Sequence, residues 1–493
     1  MAGGLNARHT KFHAQSLLFA SIRGVKNAYF HPLSIFPGPK YAAVSNFWYC
    51  WRFLGGRQPY HILSLHKRYG PVVRIAPNEL SFNTAQSYRD IYDFRPGKRC
   101  FVKSDFYEGG TFADQCGSIV SERDPEKHGQ MRRYLSHAFS QRSLLEQESL
   151  VARVINDFMD QLEKQAATGQ EVDLTKWFNM MTFDIIGDLA FGETFHGIES
   201  GEIHPWIARI TGAMTQGALA DTFKRFPAVA RVVTTLMSGA VKKLVLDCKL
   251  NEQLSLDLVK KRMAKKSDRK DFLTRILEHR NEHGISDVQI AAHCADFVTA
   301  GSETTATALS CVTYYLLKSP EIEKKMREEI RGAFHSYEDI NAASTTPLTY
   351  LNAVCLEGLR IYPPLPIALP RVVPEDGSTV DGHFVPAGVT VSTSPVAASL
   401  DPANFSNPLS FKPERWLDEN KSDVLDASQP FSTGPRGCLG RSLGWMELRT
   451  TLAKLYYKFD LEALNPDLDW QGRSKMHTLW QKPSLPVRIR KRE

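Results

Sequence analysis

The most informative ten residues of this chain are FSTGPRGCLG, Phe431–Gly440. Three glycines and a proline predict a tight loop, and the apolar pattern that follows predicts a helix that Cys438 opens and that continues to Phe459. A thiol at a helix start meets backbone N–H groups and the positive end of the helix dipole, which favour the metal-ligating thiolate. The loop therefore predicts a metal ligand at Cys438, the alternative being a buried, inert thiol. Arg436 is placed to pair with an acidic group on whatever Cys438 binds.

A charged pair on a predicted helix is the second signal. Glu357 and Arg360 are three residues apart, so both project from one helix face. Thr349 is the predicted cap of this helix, and Pro363-Pro364 is its predicted stop. Taken alone, the pair is an ordinary surface ion pair of small energetic value.

The longest predicted helix runs from about Ser286 to Lys318. Ser286 and Gln289 have the spacing of a capping box, and Ser319-Pro320 ends the helix. The middle of this helix is apolar on nearly every side, which is typical of a helix buried through the centre of a large protein. The segment Gly301–Thr305 interrupts that apolar pattern with polar residues.

Together these segments resemble the cytochrome P-450 superfamily. The haem-binding loop of that family, F-x-x-G-x-R-x-C-x-G, is matched by Phe431, Gly434, Arg436, Cys438 and Gly440. Glu357–Arg360 matches the family's E-x-x-R, and Pro413–Trp416 matches the segment whose arginine, Arg415 here, joins that pair in a buried ionic network. Ala300–Thr305 matches A-G-x-[D/E]-T-[T/S] in the family's long helix.

The resemblance implies a haem b cofactor whose iron is ligated by the thiolate of Cys438. Its propionates would be neutralised by cationic or donor side chains, because a buried charge needs a partner. The residues implied in cofactor binding are Cys438, Arg436, Phe431, Gly440, His128, Arg132 and Arg371. His128 stands where many relatives carry Trp, so the alternative for it is a structural histidine.

Glu303 and Thr304 are the catalytic residues that the resemblance implies. An acid and a hydroxyl can supply protons in a site from which water is excluded. The alternative is a satisfied polar patch within a buried helix. We also expect Gly301 to let the helix open toward a bound diatomic molecule.

The expected fold is mainly α with small β-sheets (α+β), a single large P-450-type domain over residues 37–493 with the long central helix over the haem. Residues Val72–Phe82 predict one hairpin, and Thr379–Thr393 predict the same kind of structure around Asp381-Gly382 and Ala387-Gly388. Residues 1–36 form a basic N-terminal segment with a peripheral membrane contact, or else a mobile tail. No transmembrane helix is expected, since no apolar run reaches the roughly 18 residues a spanning helix needs.

Composition excludes several classes of protein. The chain has 493 residues, 42% hydrophobic and 23% charged, which excludes a disordered tail, a collagen-like fibre and a bundle of spanning helices. The net charge of +7 suits an acidic protein partner and is too small to indicate nucleic-acid binding. The eight cysteines form no CxxC pair, which indicates a reducing compartment.

The activity implied is that of a haem-thiolate monooxygenase that inserts one oxygen atom from O2 into an apolar small molecule. Two segments, residues 29–39 and Phe139-Ser140, look like those of fungal members of secondary metabolism such as the isotrichodermin hydroxylase group, whose substrates suggest a terpenoid or polyketide. The implied electron donor is an NADPH-cytochrome P-450 reductase. The implied location is the cytoplasmic face of the endoplasmic reticulum.

Two alternatives remain open from the sequence. His279-Arg280-Asn281-Glu282-His283 fits the H-x-x-E-H pattern of zinc peptidases, although Gly284 follows it directly and Ser286 caps the next helix. A haem-thiolate isomerase or dehydratase, or a non-catalytic haem binder, would keep the cysteine loop but would not require Glu303 and Thr304 together.

Overall fold

The structure is a computed structural model that describes residue 18 and residues 21–95, 97, 100–108, 112–113, 115–265, 269–417 and 422–492, without the side chains of residues 208, 210, 211, 213, 214, 240 and 244. Most of the N-terminal segment's residues 1–20 therefore lie outside the described residues. Within the described part the fold is mainly α with small sheets, as predicted.

Helices make up most of the described chain. Those of eight residues or more lie at Phe47–Leu54, Gln58–Tyr69, Ala85–Tyr92, Pro125–Ser136, Gln141–Thr168, Leu174–Phe191, Pro205–Arg225, Pro227–Leu236, Ser238–Ala264, Asp287–Leu317, Pro320–Ala333, Thr349–Ile361 and Arg441–Lys458. Shorter α-helices lie at Lys40–Val44, Gly197–Ser200, Phe272–Glu278, Arg280–His283, Ala342–Thr345, Pro395–Leu400 and Trp470–Arg473.

The central helix, Asp287–Leu317, confirms the longest predicted element. The Ser286 hydroxyl accepts the N–H of Gln289 at 3.2 Å and so caps the helix. At 1.5 Å per residue the helix extends about 46 Å. It packs against three other long helices, Leu174–Phe191, Ser238–Ala264 and Arg441–Lys458. Most of its side chains are buried, as the continuous apolar pattern indicates.

Twelve strands form four small sheets in the described residues. They are β1 Val72–Ala76, β2 Glu79–Phe82, β3 Val102–Lys103, β4 Val172–Asp173, β5 Arg371–Val372, β6 Ser378–Val380, β7 His383–Val385, β8 Thr390–Thr393, β9 Phe459–Ala463, β10 Lys475–His477, β11 Leu479–Gln481 and β12 Pro486–Lys491. The largest sheet has the order β1-β2-β8-β5-β3, and the others are β4-β12-β9, β6-β7 and β10-β11.

The predicted hairpins at Pro77-Asn78 and Asp381-Gly382 are confirmed, whereas the one at Ala387-Gly388 is wrong, because β8 pairs with β2 and β5 and not with β7. β1 and β2 pair antiparallel across Pro77-Asn78. β6 and β7 pair antiparallel across Asp381 and Gly382, whose φ angles of 50° and 77° are the left-handed values that a tight two-residue hairpin turn requires.

The helix that carries Glu357 and Arg360 starts differently from the prediction. Thr349 is its first residue and not its cap. The Glu329 carboxylate, on the helix Pro320–Ala333, accepts the backbone N–H groups of Tyr350 and Leu351, each at 2.8 Å. A carboxylate also favours the positive end of the helix dipole, so a neighbouring helix supplies the cap.

Among the described residues, none of the helices combines the length and the apolarity that a bilayer crossing requires.

Candidate functional site

The cysteine loop, Phe431–Gly440, is closed by its own backbone. The N–H of Cys438 donates to the carbonyl of Phe431 at 2.8 Å, and Gly440 caps the helix Arg441–Lys458. Cys438 therefore lies three residues before this helix instead of opening it. Gly434 has φ +69° and lies so close to the backbone of Tyr92 that a Cβ atom would overlap it, which explains the glycine at this position.

The thiol of Cys438 lies inside the protein and yet keeps an open surface. Burial raises the pKa of Cys438, against a hydrogen bond from the Gly440 backbone and the charges of Arg132 and Arg441, which lower it. The side chain is nonetheless exposed. The sulfur is therefore surrounded by protein on most sides and remains accessible. The loop alone does not favour the thiolate, contrary to the expectation from the helix dipole, because burial outweighs the local effects that lower the pKa.

Glu357, Arg360 and Arg415 form the predicted buried ionic network. The Glu357 carboxylate accepts two N–H groups of Arg360, at 2.7 and 2.8 Å, and one of Arg415 at 3.1 Å. It also accepts the backbone N–H of Lys412 at 2.8 Å and the indole N–H of Trp416 at 2.9 Å. Glu357 and Arg360 are both fully buried. The pair is thus an interior contact that holds the segment before the cysteine loop.

One face of the central helix borders open space. Ala300 is exposed and Thr304 is partly exposed, whereas Val298, Ser302 and Thr305 between and beside them are buried. The Thr304 hydroxyl donates to the Ala300 carbonyl at 2.5 Å. These two residues are one turn apart, so both lie on the same face.

Gly301 has a packing role. A Cβ atom at this position would lie 2.9 Å from Cδ1 of Ile186, on the helix Leu174–Phe191. The backbone around it is regular α-helix. The described geometry therefore gives close helix packing as the reason for this glycine, and shows no opening of the helix at Gly301.

Glu303 lies next to Thr304 but is held by a partner that the sequence did not indicate. The Lys482 ammonium, just after β11, donates to the Glu303 carboxylate at 2.6 Å. The side chains are only 4% and 11% exposed, so this ion pair is buried. Glu303 is consequently a paired carboxylate behind the open face and not a free acid on it.

Four predicted cofactor-binding residues come from distant parts of the chain. Arg132 donates to the Gly437 carbonyl at 2.7 Å and so contacts the cysteine loop directly. Arg436 donates to the carbonyls of Glu122 and Arg123, at 2.8 and 2.9 Å.

The other two predicted residues are buried. Arg371, on β5, is 3% exposed and donates to the Tyr107 hydroxyl at 3.3 Å. His128 is 5% exposed.

These groups repel one another. Burial and then the charge of Arg371 lower the pKa of Arg436 to about 10. Burial, together with the charges of Arg436, Lys103, Arg132 and Arg371, lowers the pKa of His128 to about 3. Because Arg436, Arg132 and Arg371 all lower the pKa of His128, these four residues lie near one another. The arrangement is a buried cation cluster suited to an anionic group.

Lys103, on β3, belongs to the same cluster although no motif indicated it. Burial, together with the charges of Arg436 and Arg371, lowers its pKa to about 7. Its ammonium donates to the carbonyls of Ile119 and Val120, at 3.2 and 2.6 Å. The sequence shows only a lysine within a short apolar segment. Such lysines are too common to indicate a binding site.

A second residue without a sequence signal is Glu447, on the helix Arg441–Lys458. Its side chain is 2% exposed, and burial raises its pKa to about 8, opposed by a hydrogen bond to Thr305. Glu447 is therefore mostly protonated at neutral pH. The contact joins the central helix to the cysteine-loop helix directly beside Thr304.

The match to known proteins agrees with this geometry. The family model for cytochrome P-450 matches residues 37–485. The chain belongs to the cytochrome P-450 family. It is 55% identical to the cytochrome P-450 monooxygenase ORF11 of Penicillium roqueforti over 439 residues, which cover 89% of this chain and 91% of that protein. It is 43% identical to the cytochrome P-450 monooxygenase BipB of Cochliobolus sativus over 476 residues, 94% of each chain.

A solved structure shows the same fold. The haem domain of cytochrome P-450DA superposes with a TM-score of 0.75 at 20% sequence identity, covering 90% of this chain and 95% of that one. The family match and the relatives' names identify this P-450 as a monooxygenase that acts on a small molecule with O2. Its family implies a haem-thiolate iron.

The residues present fit that cofactor. An accessible sulfur inside the protein suits an iron ligand, and the buried cation cluster suits propionates. The peptidase alternative is wrong, because His279–His283 lies inside the matched P-450 domain. The relatives' monooxygenase names favour oxygen chemistry over an isomerase or dehydratase.

Proposed function

We propose that this P-450 binds haem b through the thiolate of Cys438 and inserts one atom of O2 into an apolar terpenoid or polyketide of fungal secondary metabolism. When bound, the haem supplies the oxygen-activating chemistry, which a thiolate ligand promotes by donating electron density. The protein positions the substrate carbon, neutralises the cofactor's charge and controls protons.

The open thiol of Cys438 in the protein interior carries this proposal. It lies in a loop closed on Phe431 and touched by Arg132, a member of the cation cluster. We assign the cluster of Lys103, His128, Arg132, Arg371 and Arg436 to the propionates. A dianionic partner would offset the burial and the repulsion that lower the pKa values of Lys103, His128 and Arg436. His128 would act as a neutral donor, because its pKa is far below neutral.

Product analysis tests the reaction. The P-450 is supplied with NADPH, a reductase and a panel of apolar terpenoids and polyketides, under isotopically labelled O2. The expected product is heavier than its substrate by one labelled oxygen atom. Oxygen derived from water, or an isomer with no added oxygen, would contradict the proposal.

Thr304→Ala is expected to uncouple NADPH oxidation from product formation. The Thr304 hydroxyl is the proton-bearing group on the open face of the central helix, one turn from Ala300. Loss of a positioned proton donor costs roughly 100-fold or more in such steps. We expect most of the consumed NADPH to appear as hydrogen peroxide, measured with a peroxidase assay.

Thr299→Ala is the matched control, because Thr299 makes the same kind of bond, to the Ala295 carbonyl at 3.1 Å. Equal peroxide release from both variants would contradict a specific role for Thr304.

Lys482→Met is expected to impair the same proton step through Glu303. The ion pair fixes where the Glu303 carboxylate lies, so removing Lys482 leaves a buried acid without its partner, at a cost of about 3–5 kcal/mol. We expect Lys482→Met and Glu303→Gln each to raise peroxide release, and the double variant to be no worse than either single one.

Lys482→Arg keeps the positive charge, so we expect it to retain most of the coupling between NADPH oxidation and product formation. Additive effects in the double variant would show that the two residues act separately.

We propose an NADPH-cytochrome P-450 reductase as electron donor, docking on basic residues near the cysteine loop. Lys127 and Arg133 are exposed on the helix that carries Arg132, which contacts that loop. Lys127→Glu with Arg133→Glu should raise the KM for reductase about tenfold at low salt, and the difference should shrink as salt screens the charges.

Lys67→Glu, an exposed lysine on the helix Gln58–Tyr69, is the control. A KM change that is equal in this control, or insensitive to salt, would contradict the docking site.

We further propose that residues 37–493 form the haem domain and that the preceding segment contacts the cytoplasmic face of the endoplasmic reticulum peripherally. Large apolar side chains are exposed in this preceding segment at Phe30 and Ile35, and shortly after it at Phe47 and Trp51. Their exposed fractions lie between 62% and 80%. Arg225, which precedes the helix Pro227–Leu236, lies 3.4 Å from Asn46. Val229, Val232 and Leu236 of that helix are also exposed, and we assign them to the same membrane contact.

A further inference from the structure

The P-450 chemistry does not use His279, Glu282 and His283. Glu282 and His283 lie on the short helix Arg280–His283, and His279 is its N-cap residue, between the helix Phe272–Glu278 and the central helix. The backbone N–H of His283 donates to the carbonyl of His279 at 3.2 Å, so the two histidines are related by one turn and project from the same face.

Their ligand atoms converge. One ring nitrogen of each histidine and one carboxylate oxygen of Glu282 all lie within 4.8 Å of one another. Glu282 lies between the imidazoles, 3.3 Å from Nδ1 of His279 and 3.9 Å from Nε2 of His283. Zinc bonds of about 2.0–2.2 Å in a tetrahedron place ligand atoms roughly 3.3–3.6 Å apart. Small side-chain rotations therefore suffice to build the site.

The turn that carries the three residues is fixed at its end. Gly284 has φ +61° and its N–H donates to the carbonyl of Arg280, as does the N–H of Ile285 at 3.0 Å. Ile285 is 3% exposed and anchors the turn in the core. Arg280 also forms an ion pair with Asp287, at the start of the central helix. A fixed turn lowers the entropy cost of gathering the ligands.

The histidine rings are also supported from outside the turn. The His279 ring stacks on His137 with 4.5 Å between centroids, and the His283 ring lies 5.6 Å from the ring of Tyr134. Both packing partners are at the end of the helix Pro125–Ser136. The side chains of His279 and His283 remain 27% and 26% exposed, so an ion and water can reach them.

We propose that His279, Glu282 and His283 form a binding site for a divalent transition-metal ion of the zinc class, with water completing the coordination. Two imidazoles and a carboxylate are ligands that zinc accepts. The site stabilises the turn that leads into the central helix, and it is separate from the cysteine loop in sequence and in chemistry. This inference does not depend on the proposed oxygen chemistry.

Titration of the tag-free haem-loaded P-450 with Zn²⁺ tests the site. We expect calorimetry to show one binding event whose affinity falls about tenfold or more in His279→Gln and in His283→Gln, and falls in Glu282→Gln. Zinc should raise the Tm of the unaltered protein and leave that of the His279→Gln/His283→Gln variant unchanged. His335→Gln, an exposed histidine after another helix, should bind zinc like the unaltered protein.

Zinc affinity equal in the double variant and the unaltered protein would overturn the proposal. So would loss of the binding event in His335→Gln. The oxygen-insertion assay is run on the same variants, so that failure of the metal site and failure of the proposed monooxygenase function are separately visible.

Discussion

Replacing Glu357 by alanine is expected to prevent recovery of haem-loaded protein or to lower its free energy of unfolding by about 3–5 kcal/mol. The carboxylate is fully buried and accepts from two arginines, Arg360 and Arg415. Its removal leaves both cations in the interior without their anion. The segment that Glu357 holds, through the Lys412 N–H and the Trp416 indole, leads to the cysteine loop. Haem content and urea unfolding are the measurements.

Asp460→Ala is a matched control for this prediction. The Asp460 carboxylate also pairs with two arginines, Arg327 at 3.0 Å and Arg331 at 2.7 Å, but its side chain is 45% exposed. Such a surface network is worth about 1 kcal/mol or less. Equal losses of stability in the two variants would show that burial of Glu357 does not determine its contribution.

Cys438→Ala is expected to abolish oxygen insertion while the polypeptide still folds. The hydrogen bonds that shape the loop use backbone atoms that the substitution leaves in place. The Phe431 carbonyl accepts the backbone N–H of residue 438, and the Gly437 carbonyl accepts an N–H of Arg132. Only the sulfur is lost, and no other atom in the described loop can donate electron density to iron in the same way. Product formation with reductase and NADPH is the measurement.

Cys248→Ala provides the control for general effects of removing a thiol, because Cys248 is an exposed cysteine on the helix Ser238–Ala264. Full activity in the control and none in Cys438→Ala is the expected result. Residual activity in Cys438→Ala comparable to that of the control would contradict the assigned ligand.

Features encoded by short-range patterns were predictable from the sequence. The central helix, its Ser286 cap and the two hairpins depend on residues within a few positions of each other. The ionic network of Glu357, Arg360 and Arg415 was also anticipated, though only through the family resemblance. Two charges on one helix face are ordinarily a surface feature.

Features that depend on long-range packing were not predictable. Lys482 reaches Glu303 from 179 positions away, and Glu329 caps a helix that begins 20 positions later. Lys103 joins the cation cluster from a two-residue strand. A single lysine or glutamate carries no local signature of such a partner, because tertiary structure alone brings the two groups together. The raised pKa of Cys438 has the same origin, since burial outweighs the local helix effect.

The carbon monoxide difference spectrum of the reduced protein tests the central claim most directly. A thiolate-ligated haem is expected to give the red-shifted Soret band that distinguishes this ligand from a neutral one. The band should be present in the unaltered protein and in Cys248→Ala, and absent from Cys438→Ala. Absence of the shifted band in the unaltered protein, or an unchanged band in Cys438→Ala, would contradict ligation of haem iron by Cys438.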